Sequence, residues 1–220
     1  MKMILRFVLP FMALAAQANA QSYYKAGATV GTGYSILRSD LFSMASGRLG
    51  LSAGFSIALG VGDRMELNTE IMFRQRGASV RAVRFSVEGF PENDTYDYFY
   101  SAFEAGQYVG YFPFKHLPLQ VQAGGFFGSH YTRLDQLQRD LWVKNYESPD
   151  GAMQAIRLNA AFSGVDFGPV MGISAGNRRV RFNVRYYFGA RNMYRNLEFV
   201  PPGSKIYSGS FNTTLTFFLE

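Results

Sequence analysis

The chain has 220 residues, 48% of them hydrophobic, 16% aromatic and only 17% charged, with 23 Gly, no Cys and a formal net charge of +6. The aromatic content excludes intrinsic disorder, and the absence of Cys excludes disulfide scaffolds, thiolate metal sites and Cys nucleophiles. Arg outnumbers Lys strongly among the 22 basic residues, which points to cations held where several acceptors must be met at once.

Residues 1–20 read as a secretory signal. Lys2 and Arg6 form a positive start, Phe7 to Ala16 is an apolar run, and Ala18-Asn19-Ala20 is an A-x-A cleavage pattern. The apolar run is too short for a spanning helix, which needs about twenty residues. Removal of Lys2 and Arg6 takes the formal charge from +6 to +4, and residues 21–220 then form a single exported domain.

From Gln21 onward the dominant signal is a period of two, repeated in about eight segments. The first lies near 24–34. In the second, Leu49, Leu51, Ala53, Phe55, Ile57 and Leu59 alternate with Gly50, Ser52, Gly54, Ser56 and Ala58. The third sets Met65, Leu67, Thr69, Ile71 and Phe73 against Glu66, Asn68, Glu70, Met72 and Arg74. Segments near 98–112, 119–131 and 161–174 are noisier, and Pro169 predicts a bulge or local irregularity in the last of them. The seventh sets Val180, Phe182, Val184, Tyr186 and Phe188 against Arg179, Arg181, Asn183 and Arg185, and the eighth runs over 207–219. Such sets separate cleanly on a strand and mix on a helix. Short connections follow the even segments. Long ones, about 35–47, 77–97, 132–160 and 191–206, follow the odd segments, and the spacing of Leu134, Leu137 and Leu141 suggests some helix in the third. This is the pattern of an up-and-down antiparallel meander with four long loops at one end.

Alternation does not say which face is buried. A soluble periplasmic ligand-binding barrel puts the apolar face inside, and a membrane barrel inverts it. The polar face carries Gly50, Gly54, Gly106, Gly128, Gly172 and several Arg but almost no Lys. Glycine weakens an exposed strand but makes room on a crowded inner wall. Aromatics gather near both strand ends, with Tyr34, Phe73, Phe99 and Phe188 at the long-loop side and Tyr24, Tyr111, Phe114 and Phe217 at the short-turn side. Membrane interfaces select two such belts. The expected fold is therefore all-β: an eight-stranded antiparallel transmembrane barrel with a polar, filled interior, in the cell outer membrane.

The chain resembles the PorT-family outer-membrane β-barrels of Bacteroidetes-type bacteria. The resemblance rests on Tyr24-Lys25-Ala26-Gly27, on Glu70 through Ala78, on Phe103-Glu104, on Leu119 through Gly128 and on Asp166-Phe167-Gly168. It implies an eight-stranded barrel, and for some members a role as an accessory subunit of an envelope secretion machine of type IX.

The interior charges are the most specific feature. Glu66, Glu70, Arg74, Glu104, Asp166, Arg179, Arg181 and Arg185 fall on the inward face, where eight strands leave room only for side chains. They are expected to interlock as a structural plug, with Arg74, Arg181 and Arg185 as the candidate partners of Glu70 and Glu104. No nucleophile–base arrangement stands out: Ser129 and His130 are adjacent in sequence and face opposite ways. No catalytic, cofactor or metal site is expected, and the chain reads as non-enzymatic. The expected partners are outer-membrane lipid, lipopolysaccharide at Arg76, Arg81, Arg84, Arg191 and Arg195, the barrel-insertion machinery and envelope secretion components. Nucleic acid is not expected, because the Arg are spaced along strands and form no stripe.

Overall fold

The computed structural model describes residues 21–39, 44–85, 91–114, 116–131, 141–144, 153–156, 164–193 and 205–219. The expected signal segment lies outside them. Ten strands run β1 (Gln21–Ser39), β2 (Met44–Val61), β3 (Met65–Phe85), β4 (Pro91–Tyr111), β5 (Leu119–Tyr131), β6 (Leu141–Lys144), β7 (Met153–Ile156), β8 (Val165–Gly176), β9 (Val180–Phe188) and β10 (Ile206–Leu219). Eight of them close a barrel. Each pairs antiparallel with its neighbours in the order β1-β2-β3-β4-β5-β8-β9-β10, and β10 returns to β1 along the register Ala26↔Leu219 to Ser39↔Ile206. Closure leaves the barrel wall no open edge, which the interior of a bilayer requires.

The outer wall is apolar. Leu49, Leu51 and Phe55 on β2 are 69%, 66% and 72% exposed, whereas the intervening Ser52 and Ser56 are 5% exposed. The same division holds on β10, where Phe211, Leu215 and Phe217 face out and Asn212, Thr214 and Thr216 face in. An apolar side chain of this size gains about 1.5–3 kcal/mol on leaving water. More than twenty such side chains covering the outside make sense only against lipid. The soluble-barrel alternative is thereby overturned: it needs the apolar face inside, and the described wall has it outside.

The strands outrun the sequence-based expectation. The segments 35–47 and 77–97, read as long loops, are largely ladder. β1 reaches Ser39, β2 begins at Met44, and β3 and β4 stay paired through Arg76↔Tyr100 to Phe85↔Pro91. The reason is that polarity stops reporting orientation above the bilayer. There the inward side chains are Ala78, Val80, Tyr98 and Tyr100, all buried, and Arg81 and Asp97 face out. Two bulges accompany the change: six residues of β2 from Gly47 to Ser52 oppose five of β3 from Ala78 to Arg74, and Met44 to Ser46 oppose only Val80 and Ser79.

A further expectation is corrected. Leu141 and Trp142 lie in strand β6, not in a helix, and β6 pairs with β7 and touches the β3 edge at Val83↔Trp142. Leu134 and Leu137 lie outside the described residues. Pro169 sits in unbroken register opposite Gly125, so there is no bulge on that side, and the irregularity takes the other form expected, since the β8–β9 ladder begins only at Val170.

The short connections behave as expected. Gly62 takes φ +63° between β2 and β3, a conformation that favours glycine. Inward glycines make space: a Cβ on Gly106 would stand 1.9 Å from the Tyr108 hydroxyl, and one on Gly54 2.1 Å from the Ile71 carbonyl oxygen and 2.7 Å from Met72 Sδ. Gly54→Trp should therefore prevent closure, and Gly54→Ala should cost about 1–3 kcal/mol by overpacking. The heat-modifiable shift in gel mobility of the folded barrel measures both.

Candidate functional site: the polar lumen

The lumen is lined by the inward residues of all eight barrel strands, and its charges form a layered network. In the layer nearest the short turns, Glu66 is fully buried and accepts from both terminal nitrogens of Arg181, the second at 2.9 Å. Gln120 Nε2 donates to the same carboxylate at 3.1 Å, the Tyr23 hydroxyl also donates to it, and Arg181 reaches Asn68 Oδ1 at 3.0 Å.

Above this layer sits Arg185. Its Nη1 donates to Glu70 Oε2 at 2.7 Å, its Nε to Gln122 Oε1 at 2.6 Å and its Nη2 to Asn183 Oδ1 at 3.3 Å. The guanidinium lies 4.4 Å from the Tyr108 ring centroid. A planar fork can meet three acceptors and an aromatic face together, which explains Arg here in place of Lys.

The third layer holds Arg74, Arg76 and Glu104. Arg74 Nη2 donates to the Tyr187 hydroxyl at 2.6 Å, and its Nη1 lies 3.2 Å from Glu104 Oε2. Arg74 also stands 3.8 Å from Glu70. Arg76 Nη2 binds Glu104 at 2.7 and 2.9 Å to its two oxygens. The hydroxyls of Tyr108 and Tyr187 bond at 3.0 Å, and these rings cluster with Phe126 and Val170 to fill the remaining space. A continuous chain of contacts thus runs from Tyr23 through Glu66, Gln120, Gln122, Arg185, Glu70, Arg74 and Glu104 to Arg76.

Asp166 is fully buried beyond this chain and accepts from the Ser208 hydroxyl, with no ion pair among the described residues. His130 stacks on Tyr100 with centroids 4.8 Å apart, and Ser129 faces out, so the two form no dyad. The described residues hold no cluster of three His, Asp or Glu fit for a metal.

Of the predicted lumen residues, the structure brings Glu66 with Arg181, Glu70 with Arg185 and Arg74, and Glu104 with Arg74. Arg179 is a correction. It is exposed in the turn between β8 and β9, because β9 starts only at Val180, and Asn177 Oδ1 caps the backbone N–H groups of Arg179 and Val180 at 2.8 Å. Arg76 is the residue that sequence reasoning misplaced. The sequence pattern places it in a loop, yet it is 2% exposed and lies inside. The usable signal was parity, since Arg76 continues the inward series Glu66, Glu70, Arg74. With Arg76 included and Arg179 removed, four buried Arg face four buried acids, Glu66, Glu70, Glu104 and Asp166.

Beyond the outer rim the wall carries a different pair. The Ser79 hydroxyl donates to Asp97 at 2.5 Å and Arg48 lies 2.5 Å from its other oxygen. Together they hold that carboxyl below the usual carboxylate range.

A closed eight-stranded sheet with an apolar outer wall and a charge-balanced interior defines an outer-membrane β-barrel. Solved structures similar to it include three bacterial proteins. The attachment invasion locus protein Ail of Yersinia pestis, solved with the heparin analogue sucrose octasulfate, is 10% identical with a TM-score of 0.43, over 89% of this chain and 99% of that one. Neisserial surface protein A is 12% identical with a TM-score of 0.43, over 88% and 96%. OprG of Pseudomonas aeruginosa is 9% identical with a TM-score of 0.45, over 90% and 95%. No family model matches the chain, and no curated protein matches it in sequence.

Proposed function

We propose that this barrel is non-enzymatic, that its lumen is a structural plug, and that its envelope interactions lie at the end bearing the long connections. The observation that carries this reading is the unbroken chain of buried contacts from Tyr23 to Arg76. An open channel would need water along that path, and Glu66, Glu70, Arg74 and Glu104 are each at most 3% exposed. Planar-bilayer recording from the purified protein is expected to give no steady conductance; a stable, large open level would overturn the plug. Export by cleavage after residue 20 fits this reading, and so does contact of lipopolysaccharide with the exposed Arg38, Arg81 and Arg191. Arg76 takes no part in such contact, being enclosed.

A second reading, an accessory subunit of a type IX-like secretion machine, is favoured by the β3–β4 extension and by the PorT resemblance. Eleven residue pairs continue past the level of Arg74. A ladder of that length presents a partner with a rigid ledge, and interaction residues are commonly carried by such displayed segments. Photo-crosslinkers at Ser46 and Arg81 in intact cells are expected to capture one defined envelope protein. Labelling of lipopolysaccharide alone would favour the first reading.

A further inference from the structure

A cavity of about 820 Å³ opens at the short-turn end, where β1 meets the β8–β9 turn and the end of β10. Its walls come from both faces of the barrel. Tyr24 and Leu219 belong to the lipid-facing wall and are 60% and 76% exposed, whereas Lys25 and Arg181 point toward the lumen. The cavity therefore straddles the rim.

Its charge is one-sided. Lys25, Arg178 and Arg181 line it, and no acidic residue among the described residues does. Arg181 is committed to Glu66. Lys25 instead rests on aromatic faces, 4.6 Å from the Tyr23 centroid and 5.5 Å from that of Phe218. Among the described residues no carboxylate pairs with Lys25 or Arg178. Two cations outside any ion pair of the described residues thus share a cavity whose outer lip is apolar.

We propose that this cavity binds the phosphate-bearing headgroup of an anionic phospholipid from the leaflet at the short-turn end, which is the periplasmic one in barrels of this class. The phosphate sits between Lys25 and Arg178, and an acyl chain leaves over Tyr24 and Leu219 onto the lipid-facing wall. A soluble anion would use the cations and ignore the apolar lip. A zwitterionic headgroup would bring a cation into a cavity lined by cations.

Native mass spectrometry of the full-length barrel tests this, with phosphatidylglycerol and phosphatidylcholine of equal chain length supplied in the detergent, and with inorganic phosphate as a third arm. One phosphatidylglycerol is expected to be retained in preference to phosphatidylcholine. Each of Lys25→Gln and Arg178→Gln is expected to weaken its retention about fivefold, the effect of one cation near an anionic surface. An unchanged heat-modifiable mobility would show that the variants still close. Equal retention of the two lipids, or full retention by the double variant, would overturn the site. Displacement of the lipid by millimolar inorganic phosphate would overturn the lipid assignment and leave a phosphate site.

Discussion

Arg185→Met is expected to lower the stability of the folded barrel by about 3–5 kcal/mol, the cost of leaving one member of a buried ion pair unmatched. Arg185 is 3% exposed and holds Glu70, Gln122 and Asn183 at once. Without it Glu70 retains, among the described residues, only the cation of Arg74 at 3.8 Å. The urea midpoint of the heat-modifiable band, measured after reconstitution, reports the loss. The double variant Glu70→Met, Arg185→Met should recover much of it, because removing both partners takes away the orphaned charge as well as the bond. Equal midpoints for single and double variants would mean that the two residues do not act as a unit.

Phe55→Arg should cost about 2–4 kcal/mol, the penalty for a cation near the bilayer midplane on the lipid face of a barrel. Phe55 is 72% exposed and stands between Ala28 and Ile71 in the sheet register, well inside the apolar wall. Ser46→Arg is the control. It is also exposed but lies past the bulge at 47–52, level with Ser79 and beyond the apolar belt. Its expected effect is within about 0.5 kcal/mol, as for an ordinary surface site. Equal failure of both to assemble would show that the apolar wall extends further out than the structure places it.

Where the bilayer touches the wall, the sequence was readable. It demands an apolar residue at every second position, so the phases of β2, β3, β9 and β10 followed directly from Leu51, Ile71, Phe182 and Leu215. Above the bilayer that demand ends. Ala78 and Val80 turn inward and Arg81 outward, so the β3–β4 extension looked like loop, and Arg76 was lost with it. The identities of most lumen charges followed from parity, but their partners did not. Glu66 and Arg181, like Glu70 and Arg185, are 115 positions apart on strands that are not neighbours. Only the curvature of the closed sheet brings them together. The aromatic filling by Tyr108, Phe126 and Tyr187 was also hidden, because it sits on the face otherwise marked by Gly, Ser and Arg.

That span between partners bears on how the molecule is made. β3 carries Glu66 and Glu70 from the first third of the chain, and their shortest ion-pair partners, Arg181 and Arg185, arrive only with β9. A half-built sheet in the bilayer would hold both sets unmatched, so partial insertion is penalised and the seam between β1 and β10 is rewarded when the last strands zip. Only the closed barrel gives Glu66 and Glu70 the matches that Arg181 and Arg185 supply.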